Sequence, residues 1–403
     1  MANAFRSLKN TNYRWWAIGA MVSNIGTWMQ RTGQDWLVIK ELTDNNPSAL
    51  GIVLACQFGP QLLLLPVVSY VAERYPSRQI LIFTQIIMCI LALLLGLLTL
   101  TGLVTLWHVY GFALALGCTT AFDATARQTF VSELVTGKDL SNAVALNATS
   151  FNLARLIGPG IAGILIAVIG SGWIFILNAC SFVFMLIALF SLNKEKLIPK
   201  SKSTINVRQI LDGIQYIYQN SYLKSLFIML FLVSALGLNF TLYISTITVK
   251  VLNLDVEHYG ALISTLAVGS VTGSLISAKQ SIPTLHYICF GALLFSISLL
   301  LGSFAFNYWY FSIMLILCGI SVQIFMTTTN AMVQLKVPSE FRGRVMAFYL
   351  AVSMGSTVIG APIIGFIAEH FSGPWAMRTG ALAVLCCSVI GIYNLLKKNH
   401  LNA

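Results

Sequence analysis

The sequence predicts an all-α integral membrane protein: twelve transmembrane helices in two six-helix pseudo-repeat bundles. Three observations carry this. The 403-residue chain is 57% hydrophobic and only 9% charged, whereas soluble domains are roughly 45–50% apolar and about 25% charged. Apolar stretches of the roughly 20 residues needed to cross a bilayer recur along the whole chain. One long polar and basic segment, 193–221, divides those stretches into two sets of six.

In order, spans are expected at 14–42, 49–72, 79–101, 105–126, 141–170, 173–192, 222–250, 257–279, 284–305, 307–332, 343–371 and 374–396. This gives an N-terminal bundle over 1–192, a linker over 193–221 that ends in an amphipathic helix, and a C-terminal bundle over 222–403. The first apolar stretch follows a basic N-terminus. It is too long for a signal h-region and has no small-residue cleavage site, so it reads as a retained first helix.

Basic residues orient the chain. With both termini inside, nineteen of the 24 lysines and arginines fall on the cytoplasmic side. The outer side has only Lys40, Lys250 and Arg378, and Arg31 and Arg155 lie within spans. This is the bias of cytoplasmic loops, and it accounts for the net charge of +11 without nucleic acid. The eight cysteines lie in apolar stretches and form no CxxC pair. A phosphate-binding loop of the GxxxxGK[ST] type is absent, which argues against ATP-driven transport. The histidines are scattered, and no nucleophile or metal-ligand set is apparent. The chain therefore does not read as an enzyme, and no cofactor or metal is expected.

The two halves repeat at a spacing of about 200–210 residues. ARLIGPGIAGILIAVIGSGW (154–173) is echoed by STVIGAPIIGFIAEHFSGPW (356–375). Tyr13, Arg14 and Gly26 are echoed by Tyr222, Lys224 and Gly237.

Polar residues inside the spans mark the candidate site. On span 1, Asn24, Trp28, Arg31 and Asp35 fall on one helical face. Span 7 has a milder stripe of Ser234, Leu238, Thr241, Ser245 and Thr248, and span 10 has Gln323, Thr327, Asn330 and Gln334. The ionisable residues deep in spans are Arg31, Asp35, Asp123 and Arg155, all in the first half. Such groups are costly in a bilayer and favour water-filled or paired positions. Asp123 sits one turn from Arg127, a spacing that suits a structural pair. Asp35 is the best candidate proton carrier: burial raises a carboxyl pKa and a nearby Arg31 or Arg155 lowers it. A fixed Arg31–Asp35 pair that only holds span 1 in register is the competing reading.

Several motifs resemble the major facilitator superfamily. Ser69-Tyr-Val-Ala-Glu73-Arg74-Tyr-Pro76-Ser-Arg78 resembles its G-x-L-A-D-R-x-G-R-R loop, with Ser69, Glu73 and Pro76 replacing Gly, Asp and Gly. The resemblance implies a conformational latch of Glu73 with Arg74, Arg78 and Arg127. Gly158-Pro159-Gly160-Ile-Ala-Gly163 resembles the antiporter motif of span 5. Three further stretches are Gly26–Leu37, Ala121–Val131 and Asn142–Pro159, the second with Thr125 in place of the usual Pro. They are similar to the bacterial branch that contains enterobactin exporters and macrolide-efflux proteins. In this family spans 1, 4, 7 and 10 line the cavity between the halves. That implies cavity roles for Asn24, Trp28, Phe122, Asp123, Thr241, Ser245, Gln323, Thr327 and Asn330.

The expected function is proton-coupled export of a siderophore or amphipathic drug by alternating access, with multidrug resistance as one consequence. Uptake symport or lipid flipping by the same fold is the alternative, and a non-transporting membrane sensor is a third reading. The expected setting is the bacterial cytoplasmic (inner) membrane, with both termini cytoplasmic. The partners implied are a small-molecule substrate, protons and membrane lipids, around a monomeric protein that binds no nucleic acid.

Overall fold

The computed structural model describes residues 5–135, 138–198, 214–278 and 283–402. Among them there is no strand. The first half consists of α1 (Thr11–Trp36), α2 (Pro47–Leu63), α3 (Leu65–Arg74), α4 (Ser77–Leu100), α5 (Leu106–Leu134), α6 (Lys138–Ile169) and α7 (Ser171–Phe190). A short α8 over 214–219 precedes the second half. There follow α9 (Ser221–Leu232), α10 (Phe240–Thr246), α11 (Val256–Ala278), α12 (Leu285–Gly302), α13 (Tyr308–Lys336), α14 (Ser339–His370) and α15 (Gly373–Asn402). Of the expected linker helix only 214–219 falls within the described residues; 199–213 lies outside them.

Nine of the described helical segments are long and apolar enough to cross a membrane, and ten if the bent pair α2–α3 counts as one span. The pair breaks at Leu64 because Pro66, near the start of α3, has no N–H and its ring crowds the carbonyl four residues back. α1 and α5 complete the twelve. They are 26 and 29 residues long but fall short of that apolar standard. These two helices carry Arg31, Asp35 and Asp123. The many exposed apolar side chains on the other helices, such as Phe83, Ile164, Val168 and Leu382, suit hydrocarbon rather than water.

The repeat is visible in local structure. Asn10 caps α1 by accepting from the Tyr13 N–H at 3.1 Å. Asn220, 210 residues later, caps α9 through the Tyr222 and Leu223 N–H groups. α1 ends in a π-helical turn, Leu37–Leu42, and its counterpart ends in another, Ile247–Val251. Each turn leads into residues with left-handed backbone: Asp44 and Asn45 in the first half, Asn253 in the second. Asp and Asn tolerate that region better than other non-glycine residues. Gly170, at φ 86°, makes the tight connection from α6 to α7.

By internal packing the chain forms two compact units: Met1–Leu42 with Leu63–Ile205, and Thr43–Leu62 with Asn206–Ala403. This differs from the expected 1–192 bundle at one element, α2, which groups with the second unit. Small residues explain the grouping. A Cβ on Gly51 would lie 2.6 Å from the Ala361 carbonyl oxygen, and one on Gly365 would lie 2.7 Å from that of Pro47, so α2 and α14 meet backbone to backbone. In the first unit α1 packs on α6 and α7, and α4 packs on α5 and α7. In the second, α13 packs on α11 and α12, and α12 on α15.

Candidate substrate and coupling site

α1 divides its polar residues between two faces. On the buried face, Gln30 accepts a 2.5 Å hydrogen bond from Asn178 of α7, and Ser181 donates to the same Asn178 at 2.8 Å. Gly26 permits this approach, since a Cβ there would collide with both Asn178 and Ser181. The other face carries the candidate residues. Asn24, Trp28 and Arg31 are half-buried, and Asp35, one turn further, is buried with 7% exposure. The Arg31 guanidinium lies over the Trp28 ring at 4.9 Å and interacts electrostatically with Asp35.

α6 supplies the wall beside Trp28. The Trp28 and Phe151 rings meet edge to face at 5.9 Å. A Cβ on Gly158 would lie 2.7 Å from the Trp28 Cβ, so the glycine sets how closely α6 approaches α1. Pro159 and Gly163 are buried in the same helix. Pro159 also leaves the Arg155 carbonyl without its helical donor. Arg155 itself is half-buried, and among the described residues its side chain has no hydrogen bond or ion pair.

Asp123 has a different setting. It is 6% exposed and takes three donors: Thr84 at 3.0 Å and Gln85 at 2.8 Å, both from α4, and Arg127 at 2.5 Å. Arg127 reaches on to Ser23 of α1 at 3.0 Å. This network holds α1, α4 and α5 together. Phe122, next in sequence, lines a pocket of about 670 Å³ with Val71, Tyr75, Phe83, Thr84 and Cys118, among others. It is therefore not grouped with Trp28.

Of the expected latch residues, Glu73 is exposed, and Arg74 donates to Tyr70 at 3.2 Å. Arg78 donates to the Leu189 carbonyl at 3.0 Å and lies against Phe190. The buried acid at this end of the unit is Glu133, which accepts from Ser77 at 2.5 Å.

In the second unit, Gln323 donates to Thr327 at 3.0 Å, and Gln334 donates to Asn330 at 2.6 Å, so the α13 stripe is internally bonded at i,i+4 spacing. Thr241 is half-buried, and Ser245 is buried with its hydroxyl turned back to the Leu242 carbonyl at 3.2 Å. The milder stripe expected along span 7 requires an unbroken α-helix. The structure instead has π-helical turns at Val233–Gly237 and Ile247–Val251 and a break at Leu238 and Asn239, which reset the angular register.

Sequence reasoning missed Phe151, Glu133 and a tie at the start of the chain. There Arg6 pairs with Asp139, Ser7 donates to Asn142 at 2.8 Å and the Tyr13 hydroxyl donates to the Ala143 carbonyl at 2.8 Å. Phe151 had a readable signal, since it lies at offsets of 4 and 7 before Arg155 and Gly158. The others depend on contacts between distant parts of the chain and had none.

A helical membrane fold whose polar and ionisable residues collect on particular helices is the architecture that a multi-pass membrane transporter of small molecules requires, and the family match places the chain in that class. The chain belongs to the transmembrane secretion effector family of the major facilitator superfamily, whose profile it matches over residues 2–402. It is 25% identical over 370 residues to the staphyloferrin A transporter of Staphylococcus aureus (strain NCTC 8325 / PS 47), covering 91% of this chain and 92% of the relative. Its fold is similar to that of a bacterial homologue of the human lysosomal transporter Spinster in an inward-facing, unoccupied conformation. The TM-score is 0.71 at 13% identity, with 95% of each chain covered. It is also similar to the nucleoside transporter NupG. The TM-score is 0.71 at 13% identity, with 96% of this chain and 98% of that one covered.

Proposed function

We propose that this protein is a proton-coupled siderophore exporter of the bacterial inner membrane that works by alternating access. The observation that carries the coupling is the Arg31–Asp35 pair on the half-buried face of α1. A carboxyl that is buried beside a guanidinium holds or releases a proton according to how strongly the two are kept together. Exchange of that proton for substrate links export to the proton gradient. The named substrate of the Staphylococcus aureus relative supports a siderophore as cargo. The Gly158–Pro159 run in α6 supports export, as in the antiporters whose motif it resembles. Glu73, Arg74, Arg78 and Arg127 are assigned to the conformational latch, and the polar residues of α13 to neutral substrate contacts.

The test uses a deletion strain under iron limitation. Secreted siderophore falls and the cell-associated pool rises. Wild-type protein restores secretion, and Asp35→Asn does not. Secretion through Asp35→Asn at the wild-type rate with unchanged pH dependence removes Asp35 from coupling. Normal siderophore release by the deletion strain, together with drug sensitivity, moves the cargo to amphipathic drugs.

A further inference from the structure

We infer that Arg155, on the α6 stripe whose Phe151 and Gly158 meet Trp28, is a binding subsite for a carboxylate of the transported molecule, an assignment that rests on the siderophore-export reading. It starts from the charges inside the first unit. Asp123 is bonded to Arg127. Asp35 interacts with Arg31. Arg155 is left, and among the described residues it has neither acid nor hydrogen-bond acceptor. It lies one residue past the midpoint of the apolar segment Asp139–Ile169. Either end of that segment is then about 20 Å away at 1.5 Å per residue, beyond the reach of a snorkelling side chain. An arginine at this depth needs water or an anion.

Its position on α6 says which face it uses. Phe151, Arg155 and Gly158 fall at offsets 0, 4 and 7, one helical stripe. The first and last of these both meet Trp28 of α1. Arg155 therefore lies on the stripe that adjoins Trp28, the ring already covered from its other neighbour by Arg31. The combination has a definite complement. A guanidinium presents a planar fork that matches a carboxylate in a bidentate pair. One uncompensated positive charge is neutralised by one carboxylate, whereas a phosphate monoester brings about −1.5 to −2 at neutral pH. The adjacent Trp28 and Phe151 rings suit an apolar or aromatic body attached to that carboxylate.

The test has two independent arms on the full-length protein. In detergent solution at constant ionic strength, benzoate at tens of millimolar raises the melting temperature of the wild type. Its neutral isostere benzamide does not, and phenyl phosphate does so less than benzoate. Arg155→Lys keeps a reduced benzoate response and Arg155→Gln loses it. Arg155→Gln itself melts no lower than wild type without ligand, because no protein partner is lost. Equal stabilisation by benzamide, a greater response to phenyl phosphate, an undiminished benzoate response in Arg155→Gln, no response in the wild type, or a lowered basal melting temperature each overturns the subsite.

The second arm measures siderophore transport. Arg155→Gln raises the apparent KM about ten- to a hundredfold, the range expected for charge-assisted hydrogen bonds, and Arg155→Lys recovers part of it. An unchanged KM in Arg155→Gln, where the deletion strain does fail to secrete, overturns the subsite and leaves the exporter standing. A deletion strain that secretes normally overturns the exporter, and the benzoate arm still decides the subsite.

Discussion

At Asp123 a single carboxylate is shared by three donors from two helices, and its arginine partner binds a third helix. Its value is structural, because each donor would be left buried without it. Removing one member of a buried ion pair costs about 3–5 kcal/mol, since the other charge stays uncompensated. Asp123→Asn is therefore expected to lower the melting temperature by several degrees. The double variant Asp123→Asn with Arg127→Gln should melt higher than the sum of the two single losses predicts. Additive losses in that thermal-unfolding cycle would show that the two residues act separately. The i,i+4 spacing of Asp123 and Arg127 was legible in the sequence. Thr84, Gln85 and Ser23 were not, because they come from other helices and no local pattern ties them to the acid. For the same reason the buried Glu133–Ser77 contact went unread while the exposed Glu73 drew attention through its motif.

The elements show why some patterns transfer and others do not. The stripes on α1 and α13 were legible because both helices keep a regular α-helical turn through them. The stripe on the α9–α10 segment was not, because its π turns add residues without adding rotation. The α6 contact with α1 has a counterpart in the second unit, where a Cβ on Gly360 would collide with the Ala235 carbonyl. Two glycines in equivalent places of the repeat thus set two close helix approaches. Gly158→Leu forces α6 away from Trp28, and overpacking of this kind costs about 1–3 kcal/mol. The expected result is a broadened size-exclusion profile and loss of transport, with Gly158→Ala intermediate. Gly111 lies on α5 with open space around its Cβ position, so Gly111→Ala serves as the control and should match wild type. Wild-type transport by Gly158→Leu would mean that the close approach has no role.

At the scale of the whole chain, the count and order of spans were legible, and the residues that interrupt the apolar pattern are those of the candidate site. Orientation is the remaining global property, and we propose it from the distribution of the basic residues. Nineteen of 24 basic residues fall on the side assigned to the cytoplasm. Exposed tryptophans sit at helix ends, as they do at both faces of a bilayer: Trp15 near the start of α1, Trp107 and Trp173 at the starts of α5 and α7, and Trp309 and Trp375 at the starts of α13 and α15. Trp107 and Trp309 are 202 residues apart, as are Trp173 and Trp375, which matches the spacing of the repeat. Tryptophan prefers the headgroup region, where its ring is part apolar and its N–H finds partners. Reporter fusions test the inference directly. A fluorescent protein that matures only in the cytoplasm, fused after Glu195 or at the C-terminus, should glow. Alkaline phosphatase, active only outside, should be active when fused after Gly102, Asn253 or Phe306, and silent after Glu195. The reverse pattern at any two of these sites would invert the topology. It would then place the basic loops on the outer face, a distribution that the insertion rule disfavours across every loop of the chain at once.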